Sequence, residues 1–257
     1  MSSVASAVVD SSTMVRRELR HTSRNPGQLL LAMVVPLIML LLFNYAFGGA
    51  LDTRGIRYID FVVPGIILMA VSYAAQGTAI AVNTDMTEGI IDRFRTMAIA
   101  RSSVLIGHVV GSTLRQLIGV AIVVVVALAI GFRPTANVVE WVAAIGLVAL
   151  ALFAVAWLST AFGLLAKNPA GASSMTFPLA LLPFLSGAFA PTDSMPGWLR
   201  AFAANQPMTQ VIEALRSLLL GGPMGNHAWL AIIWCCGIAL VGAVWAGRIF
   251  SRQSAVQ

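Results

Sequence analysis

Residues 138–165 read VVEWVAAIGLVALALFAVAWLSTAFGLL, a run in which the one ionisable side chain is Glu140, close to its start. A helix of ~20 apolar residues satisfies its own backbone hydrogen bonds and can face lipid over a ~30 Å hydrocarbon layer, so this run predicts a membrane span. Five further stretches have comparable length and polarity, at 29–47, 58–82, 104–130, 173–190 and 228–248. The whole chain agrees, with 58% apolar residues, 10% charged and a mean hydropathy of +0.86. Soluble domains carry roughly 25% charged residues, and no soluble core hides so much apolar surface. The expectation is an all-α integral membrane protein with six transmembrane helices, organised as a single transmembrane domain over 1–257.

The net charge of +6 comes from arginines scattered along short loops, with Lys167 the lone lysine. That distribution points to membrane topology and away from nucleic acid. With both termini cytoplasmic, the inner side holds Arg16, Arg17, Arg20, Arg24, Arg93, Arg95, Arg101, Lys167, Arg248 and Arg252, ten in all. The outer side holds five, Arg54, Arg57, Arg133, Arg200 and Arg216, and Arg115 lies inside a span. This bias fits the rule that positive loops stay inside. The opening residues lack a positive segment before an apolar one, so no cleaved signal peptide is expected. Cys235 and Cys236 are neighbours in one apolar run and define neither a disulfide framework nor a zinc site.

Ahead of the first span, 11–25 predicts a short interfacial helix with Arg16, Arg17, Arg20 and Arg24 beside Met14, Val15 and Leu19, broken at Asn25-Pro26. A disordered basic tail is the alternative. Between the second and third spans, 85–97 predicts an amphipathic cytoplasmic helix. Asp85, Glu88 and Asp92 fall within about 60° of one another at 100° per residue, opposite Ile90, Ile91, Phe94 and Met97. One face suits the bundle and the other a soluble partner; an interfacial helix without a partner remains open. Between the fifth and sixth spans, prolines at 191, 196 and 207 punctuate two short helices over 191–220. Trp198, Leu199 and Phe202 make one apolar face, and Val211, Ile212, Leu215 and Leu219 another, with Glu213 three residues before Arg216 as an ion pair. These are read as re-entrant helices at the outer face.

No residues point to enzyme chemistry. Lys167 has no glycine-rich loop before it, so a phosphate-binding loop is excluded, and His21, His108 and His227 lack metal-site spacing. Each histidine is read as an interfacial or loop residue, and no metal or cofactor is assigned to the chain. Within the second span Ser72, Gln76 and Asn83 share a helical face, and both helix packing and a substrate route account for them. Arg115 in the third span requires a partner or a path to the cytoplasmic interface. Gly107 and Gly111 form a close-approach pair on that same helix.

These residues resemble the ABC-2 family of transport permeases, nearest to the daunorubicin-resistance (DrrB-like) branch, over nearly the whole chain. The resemblance rests on Arg24-Asn25-Pro26-Gly27, on Glu88 through Thr96 followed by Ala100-Arg101-Ser102, on Lys167-Asn168-Pro169, and on Met195-Pro196-Gly197-Trp198-Leu199 through Asn205-Gln206-Pro207-Met208-Thr209 to Ala214-Leu215-Arg216. The sequence departs from the family pattern at Ala98, where relatives often have proline. The resemblance implies a permease in the bacterial inner membrane that pairs with a second permease, as a homodimer or heterodimer, and recruits a separate ATPase carrying ATP and magnesium. It makes the helix containing Asp85, Glu88, Gly89, Asp92, Arg93 and Arg95 the ATPase-coupling helix, and it makes the pre-span helix the connecting helix. Ser72, Gln76, Asn83 and Arg115 are then candidates for the pathway or dimer face, and Trp198, Asn205, Pro207, Glu213 and Arg216 mark the outer-face helices. The expected activity is export of a hydrophobic or amphipathic compound. Rival readings are export of a cell-envelope glycan, which calls for an aromatic-lined path absent from the spans, and ion-coupled transport, which calls for midplane acids where Asp60, Asp85 and Glu140 lie near span ends.

Overall fold

The structure, a computed structural model, describes residues 26–48, 57–87 and 101–253. Eight α-helices run in order through these residues: α1 Pro26–Leu42, α2 Tyr58–Thr87, α3 Arg101–Ala129, α4 Val138–Leu165, α5 Pro169–Leu181, α6 Gly197–Asn205, α7 Pro207–Leu220 and α8 His227–Gln253. No strand occurs among the described residues. Four helices are long and apolar enough to cross a membrane, namely α2, α3, α4 and α8, and two shorter apolar stretches lie at Ala32–Ala46 and Pro169–Leu185. The pre-span helix expected at 11–25, and most of the coupling helix expected at 85–97, lie outside the described residues.

Local chemistry sets the helix ends. Glu140 belongs to a capping box: Asn137 Oδ1 accepts from Glu140 N at 3.0 Å, and Glu140 Oε2 accepts from Asn137 N at 2.7 Å. The Lys167-Asn168-Pro169 signature starts α5, with Asn168 Oδ1 accepting from Gly171 N at 2.7 Å and Pro169 in the first turn, where its missing N–H costs nothing. The expected fifth span at 173–190 needs correction. Helix begins at Pro169 and tightens into a 3₁₀ turn at Leu182–Leu185, and the chain then turns through Ser186-Gly187-Ala188. Pro183 cannot continue the α-helical ladder, so the chain folds back. The stretch expected as the first span likewise ends in a π turn at Phe43–Phe47.

The central element is α2. At thirty residues it is about 45 Å long, and it packs against α1, α3, α4, α5 and α7, so its apolar window is almost wholly buried. By contrast α8 touches α4 and α7 and leaves Ile233, Leu240 and Val241 exposed on the other side. In lipid, apolar side chains gain nothing by leaving their solvent, so association relies on close packing and interhelical hydrogen bonds. Glycines provide the first. A Cβ on Gly242 would stand 2.8 Å from Leu158 N, and one on Gly163 2.6 Å from Ala79 O, so α8 and α2 approach α4 backbone to surface. Hydroxyls provide the second, with Thr78 on α2 bonded to Ser112 on α3 inside the bundle.

Candidate functional site

Two sets of side chains hold the ends of α2. At the end nearer residue 87, Asn83 Nδ2 donates to Gly163 O at 3.1 Å and to Ala166 O at 2.6 Å, satisfying carbonyls that the end of α4 leaves without helical partners. Two residues on, Asp85 Oδ2 lies 2.9 Å from His108 Nε2 of α3. This corrects the sequence reading in two places. No glycine or proline interrupts Asn83 to Thr87, so α2 continues through Asp85, whose carboxylate engages a neighbouring helix of the bundle. His108, read as an interfacial or loop residue, lies within α3 and faces Asp85 of α2. A sequence signal existed: His108, Ser112 and Gln116 recur at i, i+4 and i+8, one polar stripe on α3. Glu88, Gly89, Asp92, Arg93 and Arg95 lie outside the described residues, in the 88–100 segment that α2 and α3 bracket.

The stripe of Ser72, Gln76 and Asn83 meets different neighbours along its length. Ser72 is fully buried with its Oγ 4.0 Å from Met208 Sδ of α7, and Asn83 is buried against α4 as described. Gln76 is half-buried between them, beside the exposed Gly77. Arg115 is half-buried on α3 and engaged with protein.

At the opposite end, the Asn205-Gln206-Pro207-Met208-Thr209-Gln210 segment fastens the turn after α5. Gln206 Nε2 donates to Leu185 O at 2.6 Å and to Leu182 O at 3.3 Å, Gly187 N donates to Thr209 Oγ1 at 3.3 Å, and Gln210 joins Ala204 O and His227 Nδ1 at 2.6 and 2.8 Å. Pro207 opens α7, while Asn205 caps back onto Ala201 O at 2.8 Å. Gly65 lets the turn lie on α2, since a Cβ there would stand 2.6 Å from Ala188 Cβ. Arg216 completes the junction. It pairs with Glu213, donates through Nη2 to Phe61 O and Gly187 O, both at 3.1 Å, and stacks 4.0 Å from the Phe61 ring centroid. Sequence reasoning found the pair of Glu213 and Arg216 and missed that it ties α7 to α2. It read both short helices as re-entrant helices at the outer face. Trp198 and Phe202 on α6 are exposed, and nine of fourteen residues of α7 are buried, Val211, Ile212, Leu215 and Leu219 among them.

Aromatic rings gather in the same layer: Phe43 stacks on Phe189 at 4.4 Å, Phe184 on Phe189 at 5.3 Å, and Tyr58 donates to Phe189 O at 3.2 Å. Phe43, Phe184 and Phe189 thus form one stacked cluster. Asp60 is held by Arg57 at 2.7 Å and by Arg133 N at 3.1 Å, which joins the start of α2 to the loop after α3.

The fold and its two fastened ends define a multi-pass α-helical membrane protein built around one buried helix. Residues 11–220 match the ABC-2 type transporter membrane family, and the chain belongs to that family. It is 31% identical over 253 residues to the daunorubicin resistance ABC transporter permease protein DrrB1 of Streptomyces coeruleorubidus, covering 98% of this chain and 89% of the relative. It is 24% identical over 238 residues to a probable doxorubicin resistance ABC transporter permease protein, DrrC, of Mycobacterium tuberculosis, covering 92% and 86%. A putative transport permease, ycf38, of the alga Porphyra purpurea is 29% identical over 210 residues, covering 79% and 71%.

Proposed function

We propose that this chain is the membrane subunit of an ATP-driven exporter, moving an amphipathic compound of the daunorubicin and doxorubicin kind out of a bacterial cell. ATP and magnesium belong to a separate ATPase subunit, and the permease works as a homodimer or heterodimer in the inner membrane. Its six spans are α1 to α5 and α8, with both termini cytoplasmic, in line with the arginine bias of the loops. The observation that carries this reading is the pair Asp85 and His108, which joins the last turn of α2 to the first turns of α3 on either side of the 88–100 segment. A push on that segment is delivered to the central helix and, through Asn83, to α4. Glu88, Gly89, Asp92, Arg93 and Arg95 are the residues that touch the ATPase, while Asp85 fixes the base of their helix.

The acidic side chains that the structure describes are otherwise employed. Among the described residues, Asp60, Asp85, Glu140 and Glu213 each hold a helix end or a neighbouring side chain, so ion-coupled transport gains no support. Co-expression with the cognate ATPase is expected to give inverted vesicles ATP-dependent uptake of daunorubicin, and the two subunits are expected to copurify. Uptake driven by a proton gradient with no bound ATPase would refute the proposal.

A further inference from the structure

Between Tyr73 and Thr84 the incompletely buried residues of α2 are Tyr73, Gln76, Gly77, Ile80, Ala81 and Thr84. Their spacing of three and four makes one stripe, the sole opening along this part of an otherwise covered helix. Gly77 is exposed, and the one side-chain atom near the position of a Cβ on it is Gln116 Nε2 of α3, at 3.8 Å. Gln116 is only 6% exposed, yet its carboxamide has no hydrogen-bond partner among the described residues. Gln76, next along the opening, also lacks one. Gly77 lies ten residues, about 15 Å, from the Thr87 end of α2, a helix long and apolar enough to cross a membrane, and in hydrocarbon an unpaired amide is costly.

We propose that Gln116 and Gln76, with the gap left by Gly77, form a subsite in the membrane for the hydrogen-bonding edge of an amphipathic cargo, a hydroxyl or carbonyl on a flat ring system. The proposal rests on the reading of this chain as an export permease. A carboxamide donates through nitrogen and accepts through oxygen without carrying charge. It therefore suits hydroxyls and carbonyls and offers no counter-charge to a carboxylate. Gly77 lets a ring approach the helix backbone, which any side chain would prevent.

The test uses purified permease in lipid nanodiscs without the ATPase, with daunorubicin, whose rings carry hydroxyls and carbonyls, as the probe and its fluorescence quenching as the readout. Gln116→Met keeps length and packing but removes the amide. It is expected to weaken binding about fivefold, about 1 kcal/mol, with no loss of thermal stability, because no protein hydrogen bond is removed. Gly77→Leu, which fills the gap, is expected to weaken binding at least as much, and Gly146→Ala, set where a Cβ meets open space, to leave it unchanged. Three results overturn the proposal: no saturable binding to the wild type, affinity of Gln116→Met within threefold of wild type, or a weakening that comes with thermal destabilisation of that variant. ATP-dependent uptake in vesicles is measured separately, so a failure of the export reading is distinguishable from a failure of the subsite.

Discussion

Replacing Arg216 by methionine keeps an unbranched side chain of similar reach and removes the guanidinium, and its cost follows from the contacts. Two hydrogen bonds to the Phe61 and Gly187 carbonyls disappear, each worth about 0.6–1.5 kcal/mol inside a membrane bundle. Stacking over Phe61 contributes about 1 kcal/mol more. The sum is about 2–4 kcal/mol before the loss to Glu213 is counted, and at about 2–4 °C per kcal/mol for a chain of this size the midpoint falls by about 4–16 °C. A thiol-reactive dye reads it directly, because Cys235 is buried and Cys236 exposed. In a Cys236→Ser background only unfolding uncovers the remaining thiol. Arg216→Lys, which keeps charge without the planar fork, is expected to fall between the two. An Arg216→Met midpoint within about 2 °C of its parent would refute the assignment of Arg216 as the fastening between α7 and α2.

Other junctions make comparable predictions. Gly163→Leu drives a side chain against Ala79 O and Val82, so a stability loss of about 1–3 kcal/mol is expected in the same dye assay. Asp85→Asn and His108→Ala are each expected to lower transport severalfold while ATP hydrolysis by the partner continues, and the double variant to be no worse than either single. Additive losses would mean that the two residues act apart. Gln206→Leu leaves the Leu182 and Leu185 carbonyls without their donor and is expected to cost about 1–3 kcal/mol, read as a lower midpoint.

Much of the architecture is legible in the sequence because lipid imposes a length and polarity rule that single residues cannot evade. Thus 138–165 coincides with α4, and Glu140, the odd charge in that run, turns out to be half of a capping box. The fifth span is harder to read. Residues 182–190 are apolar enough to continue a span, and only Pro183 and Gly187 within that run hint that the chain turns back. The Asn205 to Thr209 motif is conspicuous in sequence, but its work lies in bonds to residues about twenty positions away, which no local pattern encodes. Asp85 illustrates the other limit. A helical wheel groups it with Glu88 and Asp92 as one charged face, whereas α2 continues far enough to give it to His108. The i, i+4, i+8 stripe of His108, Ser112 and Gln116 was the available clue, since polar side chains at that spacing within an apolar helix mark the side that meets another helix.

The central claim is that force from a separate ATPase enters through the 88–100 segment. Its most direct test is ATP-dependent daunorubicin uptake by vesicles carrying the ATPase with wild-type permease or with the Glu88→Lys, Asp92→Lys double variant. The account predicts a double variant that inserts normally and leaves ATP hydrolysis running, with uptake reduced to the level seen without the permease. Uptake at the full wild-type rate in that variant would contradict it.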